Sequence, residues 1–278
     1  MRTQDTATTI PEIRPGQSLE LLKELHILTR DGKLNQDTRR KLKQVYHLYQ
    51  FIEPLLAGAQ TVADHGAGKS YLGFILYDLH FRERGNGHIF GIETRRELVE
   101  KSRELAARLD FGRMSFFHAT VEEATRSTAL PERIDVVTAL HACNTATDDA
   151  IRFALTKKAK HIVLVPCCQA EVAAALRASR RESLAKTPLA ELWRHAIHAR
   201  ELGSHLTNVL RCLLLEAHGY DVTVTELVGW EHSLKNELII ASKTPQNNGR
   251  PRQNARERAA AILREFNIEE LLPRFICD

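Results

Sequence analysis

The segment Asp64-His65-Gly66-Ala67-Gly68-Lys69-Ser70 closes an apolar run with an acid, two glycines one residue apart, and a lysine. Gly66 and Gly68 accept backbone angles closed to other residues and, lacking a Cβ, let a ligand approach the main chain. The amides opening the helix that follows favour negative charge. Such a turn seats a cofactor, and its spacing excludes two kinds of occupant. The run ends in Gly-Lys-Ser, but the four-residue gap between glycines that wraps a phosphate in a P-loop is missing. Tyr71 stands where the dinucleotide fingerprint needs a third Gly or Ala. Glu93 ends the second apolar run, 25 residues beyond Gly68. An acid there can accept hydrogen bonds from both hydroxyls of a ribose. His118-Ala119-Thr120 ends the third run, at the sheet edge where such folds contact an adenine.

Two further run ends carry polar groups, His141-Ala142-Cys143-Asn144 through Asp148, and Pro166-Cys167-Cys168-Gln169. His141, Cys143 and Asn144 are candidates to orient an acceptor, and His141 or Asp148 is the best available proton acceptor. Thr145 or Thr147 can instead cap the next helix, with Asp148 in its first turn suited to the helix dipole. Thiolate and imidazole suit zinc, so Cys143, Cys167, Cys168 and His141 could in principle form a metal site. Adjacent cysteines alternate faces of a strand and no Cys-x-x-Cys occurs, so no metal is expected. A nucleophilic cysteine needs a general-base partner, and none is identifiable. Small buried thiols are the simpler reading.

Elements that position these groups follow from periodicity. Ser18 to Arg30 carries Leu19, Leu22, Leu25 and Leu28 at helical spacing. A second helix is expected over Gln36 to Leu56, its face also presenting Lys43, Gln44 and His47. From Thr61 onward apolar runs alternate with helical stretches, which argues for a mostly parallel sheet with helices on both faces. The last two runs, Asp221 to Val228 and Glu237 to Ser242, are joined by Gly229 to His232, too short for a parallel crossover, so they should pair antiparallel. The expected fold is α/β, with seven strands and a reversed last strand. A helical insert over 169–203 lies at the carboxyl edge of the sheet and is a candidate lid. Pro245 to Arg258 reads as a loose linker, and Ala259 to Phe266 with Ile268 to Ile276 as a C-terminal helix. The division is then 1–57 tail and helical extension, 58–244 cofactor domain, and 245–278 linker and helix.

The glycine turn resembles motif I, Asp-x-Gly-x-Gly, of class I S-adenosylmethionine (AdoMet) methyltransferases. His141-Ala142-Cys143 with Thr147-Asp148, and Pro166-Cys167-Cys168, resemble one group of them, which has His-x-Cys-Gly-x-x-Thr-Asp after strand four and Pro- or Gly-Cys-Cys after strand five. That group includes tRNA 2′-O-methyltransferases of the acceptor stem, methyltransferase-like proteins described as ribosomal-RNA-adenine-dimethylase-like, and the methyltransferase part of a glutathione-transferase-C-terminal-domain protein. The resemblance covers about Lys41 to Ser242. It implies a Rossmann-like class I methyltransferase fold with AdoMet held by Asp64, Gly66, Ala67, Gly68, Lys69, Glu93, Thr120 and His141. The acceptor side would carry Lys43, Gln44, Cys167, Cys168 and Gln169. Because the sulfonium methyl is already activated, the protein has only to align the acceptor and remove a proton from a hydroxyl. RNA, as tRNA or rRNA, is the implied substrate; a protein or small-molecule acceptor, or a non-catalytic AdoMet-binding module, is the alternative. Two positions depart from the group, Asn144 and Ser70, where Gly is usual.

A chain of 278 residues fits one large α/β domain with appendages. The net charge is +4, with basic residues gathered at Arg39 to Lys43, Arg177 to Arg181 and Arg250 to Arg258. Such clusters neutralise phosphates, or else are solvated helix faces and tails. No apolar run approaches the roughly 18 residues needed to cross a bilayer. Met1 to Gln17 is polar and lacks the apolar core of a signal peptide, so the cytoplasm is the expected location. Five cysteines, an odd count, are expected as free thiols.

Overall fold

A computed structural model describes residues 11–140, 145–166, 169–183, 188–227, 237–244 and 252–276. Seven strands form one sheet in the order β3-β2-β1-β4-β5-β7-β6. They are β1 (Thr61–His65), β2 (His88–Glu93), β3 (Met114–His118), β4 (Val136–Leu140), β5 (His161–Val165), β6 (Tyr220–Glu226) and β7 (Glu237–Lys243). Pairing is parallel from β3 through β5, and β7 runs antiparallel to both β5 and β6. This is the expected sheet with its reversed last strand. The order reverses between β1 and β4, which opens a crevice beyond their carboxyl ends, where ligands bind in open α/β sheets.

Alternation along the strands divides the core between two faces. Val62, Val136 and Val163 face one side, packed with Tyr49, Leu72, Phe74 and Val99. Those four come from α2 (Gln36–Ile52), α3 (Tyr71–Leu76) and α4 (Arg96–Arg108). Ala63, Val137 and Ile162 face the other, packed with Ala124, Phe153 and Leu214 of α5 (Val121–Arg126), α6 (Ala146–Thr156) and α8 (Ala196–Ala217). Local signals start several helices. Ser18 accepts from the Leu21 amide to open α1 (Leu19–Glu24), while α2 and α5 begin with reciprocal capping boxes, Asn35 with Thr38 and Thr120 with Glu123.

Beyond the sheet lies a helical layer with its own core. Val172 and Leu176 of α7 (Glu171–Ser183), Trp193, and Leu206, Leu210 and Leu213 of α8 are buried with Ala255, Ala259 and Leu263 of α9 (Arg252–Glu265) and Phe275 of α10 (Leu272–Phe275). Where α7 and α8 cross, a Cβ on Gly203 would lie 2.6 Å from the Ala173 amide nitrogen, so only glycine permits the approach. Three expectations are corrected here. The helix after the insert starts at Ala196 rather than Ser204. The first helix stops at Glu24, short of Arg30, and His26 just beyond it takes a φ of 55°. Helix α9 begins at Arg252, inside the stretch read as a linker, because Ala255, Ala259 and Leu263 recur every fourth residue and bury against α8 despite their charged neighbours. The short turn Gly229 to His232 lies outside the described residues.

Candidate active site

The glycine turn leaves β1 in a left-handed path, with φ of 63° at Gly66, 58° at Gly68 and 53° at Ser70. Glycine adopts that region freely, whereas a non-glycine residue pays for it in steric strain. Gly is usual at position 70 in the group that the motifs resemble, and the left-handed backbone angle of Ser70 supplies the physical reason. From this turn α3 sets out across the sheet.

Asp64 lies beneath the turn rather than on its surface. It is buried, accepting from Thr138 Oγ1 at 2.8 Å and from the Gly73 amide at 3.3 Å. Burial pushes its carboxyl up to about 6, against the lowering effect of those hydrogen bonds. Glu93, at the end of β2, points back at the turn and accepts from the Gly68 amide at 2.7 Å. Its other oxygen accepts from the amides of Thr94 and Arg95 and from Arg95 Nε, at 3.0 to 3.1 Å. Burial pushes this carboxyl up, but the Arg95 side chain and the Gly68 and Arg95 amides outweigh it, so Glu93 titrates below the usual carboxylate range. It is therefore an ionised, pre-organised acceptor at neutral pH.

Two cavities flank the turn, and successive residues of it line different ones. His65 and Gly66 face a cavity of about 970 Å³ that also includes Glu93, Thr94, Ala119 and Thr120, with Ala146, Asp149 and Arg152 of α6 as its wall. Asp64 and Ala67 face a second cavity of about 400 Å³, whose walls include Lys41, Gln44 and Leu48 of α2, with Tyr71, Leu140 and Leu227. The first is large enough for an adenosyl group. Its acid is placed for vicinal hydroxyls, the β3 end closes its far side, and the glycines leave the backbone open to the ligand. A cofactor seated on the turn would reach both cavities.

The other expected residues fall as follows. Thr120 lines the first cavity, but its hydroxyl is committed to the cap of α5, 2.9 Å from Glu123 Oε2. Lys69 is exposed at the turn. Gln44 lines the second cavity together with Lys41, whereas Lys43 is exposed and is not part of that wall. Helical geometry explains the exchange: positions 41, 44, 45 and 48 share one stripe, while position 43 is turned about 200° from 41. Gln169 is buried, its Oε1 accepting from the Ala170 amide at 3.0 Å and its Nε2 without a partner. His141, Cys143, Asn144, Cys167 and Cys168 lie outside the described residues.

Asp148 has a structural task. Both of its oxygens are bound by the fully buried Arg211, at 2.7 and 3.0 Å, and Arg274 NH2 of α10 adds a third contact at 3.1 Å. With both oxygens held by guanidinium donors, the carboxylate joins α6, α8 and α10. Among the described residues, no group of three or more His, Cys, Asp or Glu could hold a metal ion. Nor is any described helix long and apolar enough to cross a membrane.

Sequence reasoning missed His65, although it sits inside the glycine-turn motif. Burial presses its ring down to about 4, so it is neutral at physiological pH. Its shift opposes that of Asp64. The folded state keeps a proton on Asp64 that the unfolded chain releases between 3.8 and about 6, so that contribution falls as pH rises. It also lacks a proton on His65 that the unfolded chain holds between about 4 and 6.5, so that contribution grows as pH rises. At about 1.4 kcal/mol per pH unit the two slopes nearly cancel. His65→Phe is expected to remove the second alone, so its melting temperature should climb, relative to wild type, as pH falls from 6.5 to 4.5. Melting curves that stay parallel across that range would refute the linkage.

Residues 40–175 match the family model of a methyltransferase domain, a span running from α2 into α7 and including the turn, Glu93, the first cavity's wall and most of the second's. Over that span the chain is similar to a methyltransferase domain. Among solved structures it is similar to magnesium protoporphyrin IX methyltransferase (ChlM) from Synechocystis PCC 6803 with bound SAM, at 12% identity over 81% of this chain and 90% of that one, with a TM-score of 0.46. Another is an rRNA methylase from Streptococcus thermophilus, at 9% identity over 71% and 96% of the two chains, with a TM-score of 0.43. A third is precorrin-6y C5,15-methyltransferase from Geobacter metallireducens GS-15, at 18% identity over 78% and 92%, with a TM-score of 0.40. No curated protein matches the chain. The first cavity, with Glu93 in its wall, is the candidate seat for an adenosyl group.

Proposed function

We propose that the domain transfers a methyl group from AdoMet to RNA, with tRNA or rRNA as substrate and the cytoplasm as its place of action. The observation that carries the reading is α2, whose Arg39, Arg40, Lys41 and Lys43 are exposed along the helix that walls the second cavity. A polyanion lying on that helix would bring one of its nucleotides to the cavity mouth, beside the donor seat. In this reading AdoMet supplies the activated methyl group. Glu93 and the Gly66 and Gly68 backbone hold it, and the walls of the second cavity orient the acceptor. His141, Cys143, Asn144, Cys167 and Cys168 are the acceptor-facing groups implied by the resemblance, with His141 as proton acceptor where the target is a hydroxyl.

A small apolar acceptor is the second reading, supported by Val45, Leu48, Leu72, Leu140 and Leu227 in the same wall. Nucleoside mass spectrometry of tRNA and rRNA from a deletion strain separates the two. One methylated nucleoside should vanish and return with the wild-type gene but not with Glu93→Gln. In vitro transfer to that RNA should weaken steeply with salt, as phosphate contacts require. An unchanged nucleoside profile would reject RNA and leave the small-molecule reading.

A further inference from the structure

His65 is a buried polar group with nothing to bind. Its ring is 6% exposed, and neither Nδ1 nor Nε2 has a hydrogen-bond partner. Buried polar atoms are nearly always paired, and each exception asks for a reason. One side of the ring rests on Phe153, with centroids 5.7 Å apart. The residue also lines the first cavity, next to Gly66 and in the same wall set as Glu93, Asp149 and Arg152.

The charged groups of that wall are each one-sided, and the Thr120 and Thr125 hydroxyls are committed within α5 and its cap. Glu93 and Asp149 as carboxylates can only accept hydrogen bonds, and Arg95 and Arg152 can only donate. Asp149 and Arg152 are moreover paired with each other. A neutral imidazole offers one donor and one acceptor at fixed separation, which suits an uncharged partner with both kinds of group. An adenosyl group is such a partner, through its ribose hydroxyls and its adenine edge. Burial keeps the ring neutral well below physiological pH, so it would make this contact without introducing a charge beside a cationic sulfonium donor.

We propose that the His65 ring is a direct, uncharged contact to the adenosyl half of the methyl donor, and that its unpaired nitrogens in the free protein are held in reserve for that contact. The inference rests on the AdoMet seat but not on RNA as the acceptor.

Phe at this position keeps the ring stacked against Phe153 and removes both nitrogens. Because it deletes an unpaired buried polar group, His65→Phe should leave the ligand-free protein at least as stable as wild type at pH 7.5. Binding should respond in the opposite sense. By calorimetry the variant should bind S-adenosylhomocysteine about tenfold more weakly and lose affinity for adenosine alone. His65→Gln, which restores a donor and an acceptor, should recover part of that loss. In the wild-type protein, adenosine should shift the ring 15N resonances of His65 and free methionine should not. Unchanged affinity for S-adenosylhomocysteine in His65→Phe would overturn the proposal, as would a loss confined to S-adenosylhomocysteine with adenosine binding intact. Wild-type binding of S-adenosylhomocysteine serves as control, and failure of RNA methylation would leave the result unaffected.

Discussion

Arg211→Ala is expected to be the most destabilising single substitution in the chain, costing about 3 to 5 kcal/mol, the range for removing one partner of a buried ion pair. Arg211 is fully buried on α8, bidentate on Asp148 and 3.1 Å from Asn208 Oδ1 through NH1. Its loss leaves the Asp148 carboxylate inside the protein with the half-buried Arg274 as its remaining cationic partner among the described residues. At roughly 2 to 4 °C per kcal/mol for a domain of this size, the melting temperature should fall by on the order of 10 °C. The cost comes chiefly from the stranded charge, so a double substitution should recover much of it. Asp148→Leu with Arg211→Met replaces the pair by apolar groups of similar size, an exchange that is often close to neutral. Thermal melts of the two single variants and the double variant test this as a cycle. A single-variant loss below about 1 kcal/mol would mean that water reaches the site and that the pair is not buried as described.

Glu93→Gln should abolish most donor affinity while leaving the fold in place. The carboxylate holds the Gly68 amide at 2.7 Å and is kept ionised by Arg95 and by backbone amides, so its charge stands ready before any ligand arrives. Hydrogen bonds to a charged acceptor contribute about 1.5 to 3 kcal/mol each, and two ribose hydroxyls would share this one. A loss of about 100-fold in affinity for S-adenosylhomocysteine by calorimetry is the expected result, with a melting temperature near that of wild type. Affinity within threefold of wild type would show that the acid serves the turn alone.

Residues with a purely local signal could be read from the sequence. Gly66, Gly68 and Glu93 announce themselves by type and spacing at strand ends, and the hairpin of β6 and β7 by the shortness of its connection. Residues whose role depends on a distant partner could not. Arg211 reads as one more surface arginine of a long helix, because its partner lies 63 residues away in the sequence. Asp148 reads as a catalytic acid for the same reason. The resemblance implies Lys43 rather than Lys41, and only the rotation of α2 against the turn separates the two. His65 was overlooked between two more conspicuous neighbours; strand alternation does place it on the face opposite Asp64, but not its lack of a partner.

The helical layer also bears on how the protein comes to be made. Its core is completed by α9 and α10, which are synthesised after every strand of the sheet. Until then Leu206, Leu210 and Trp193 have only α7 and one another as cover, and Asp148 lacks Arg274, which lies 126 residues downstream. A nascent chain can therefore assemble its parallel sheet on the ribosome while this face stays sticky, and a product cut off before residue 252 would carry the whole donor seat together with a permanent apolar wound. Such a fragment should be recognised by chaperones and proteases rather than accumulate as a smaller working enzyme, which makes segment 252–276 a mark of completeness that cellular quality control can read.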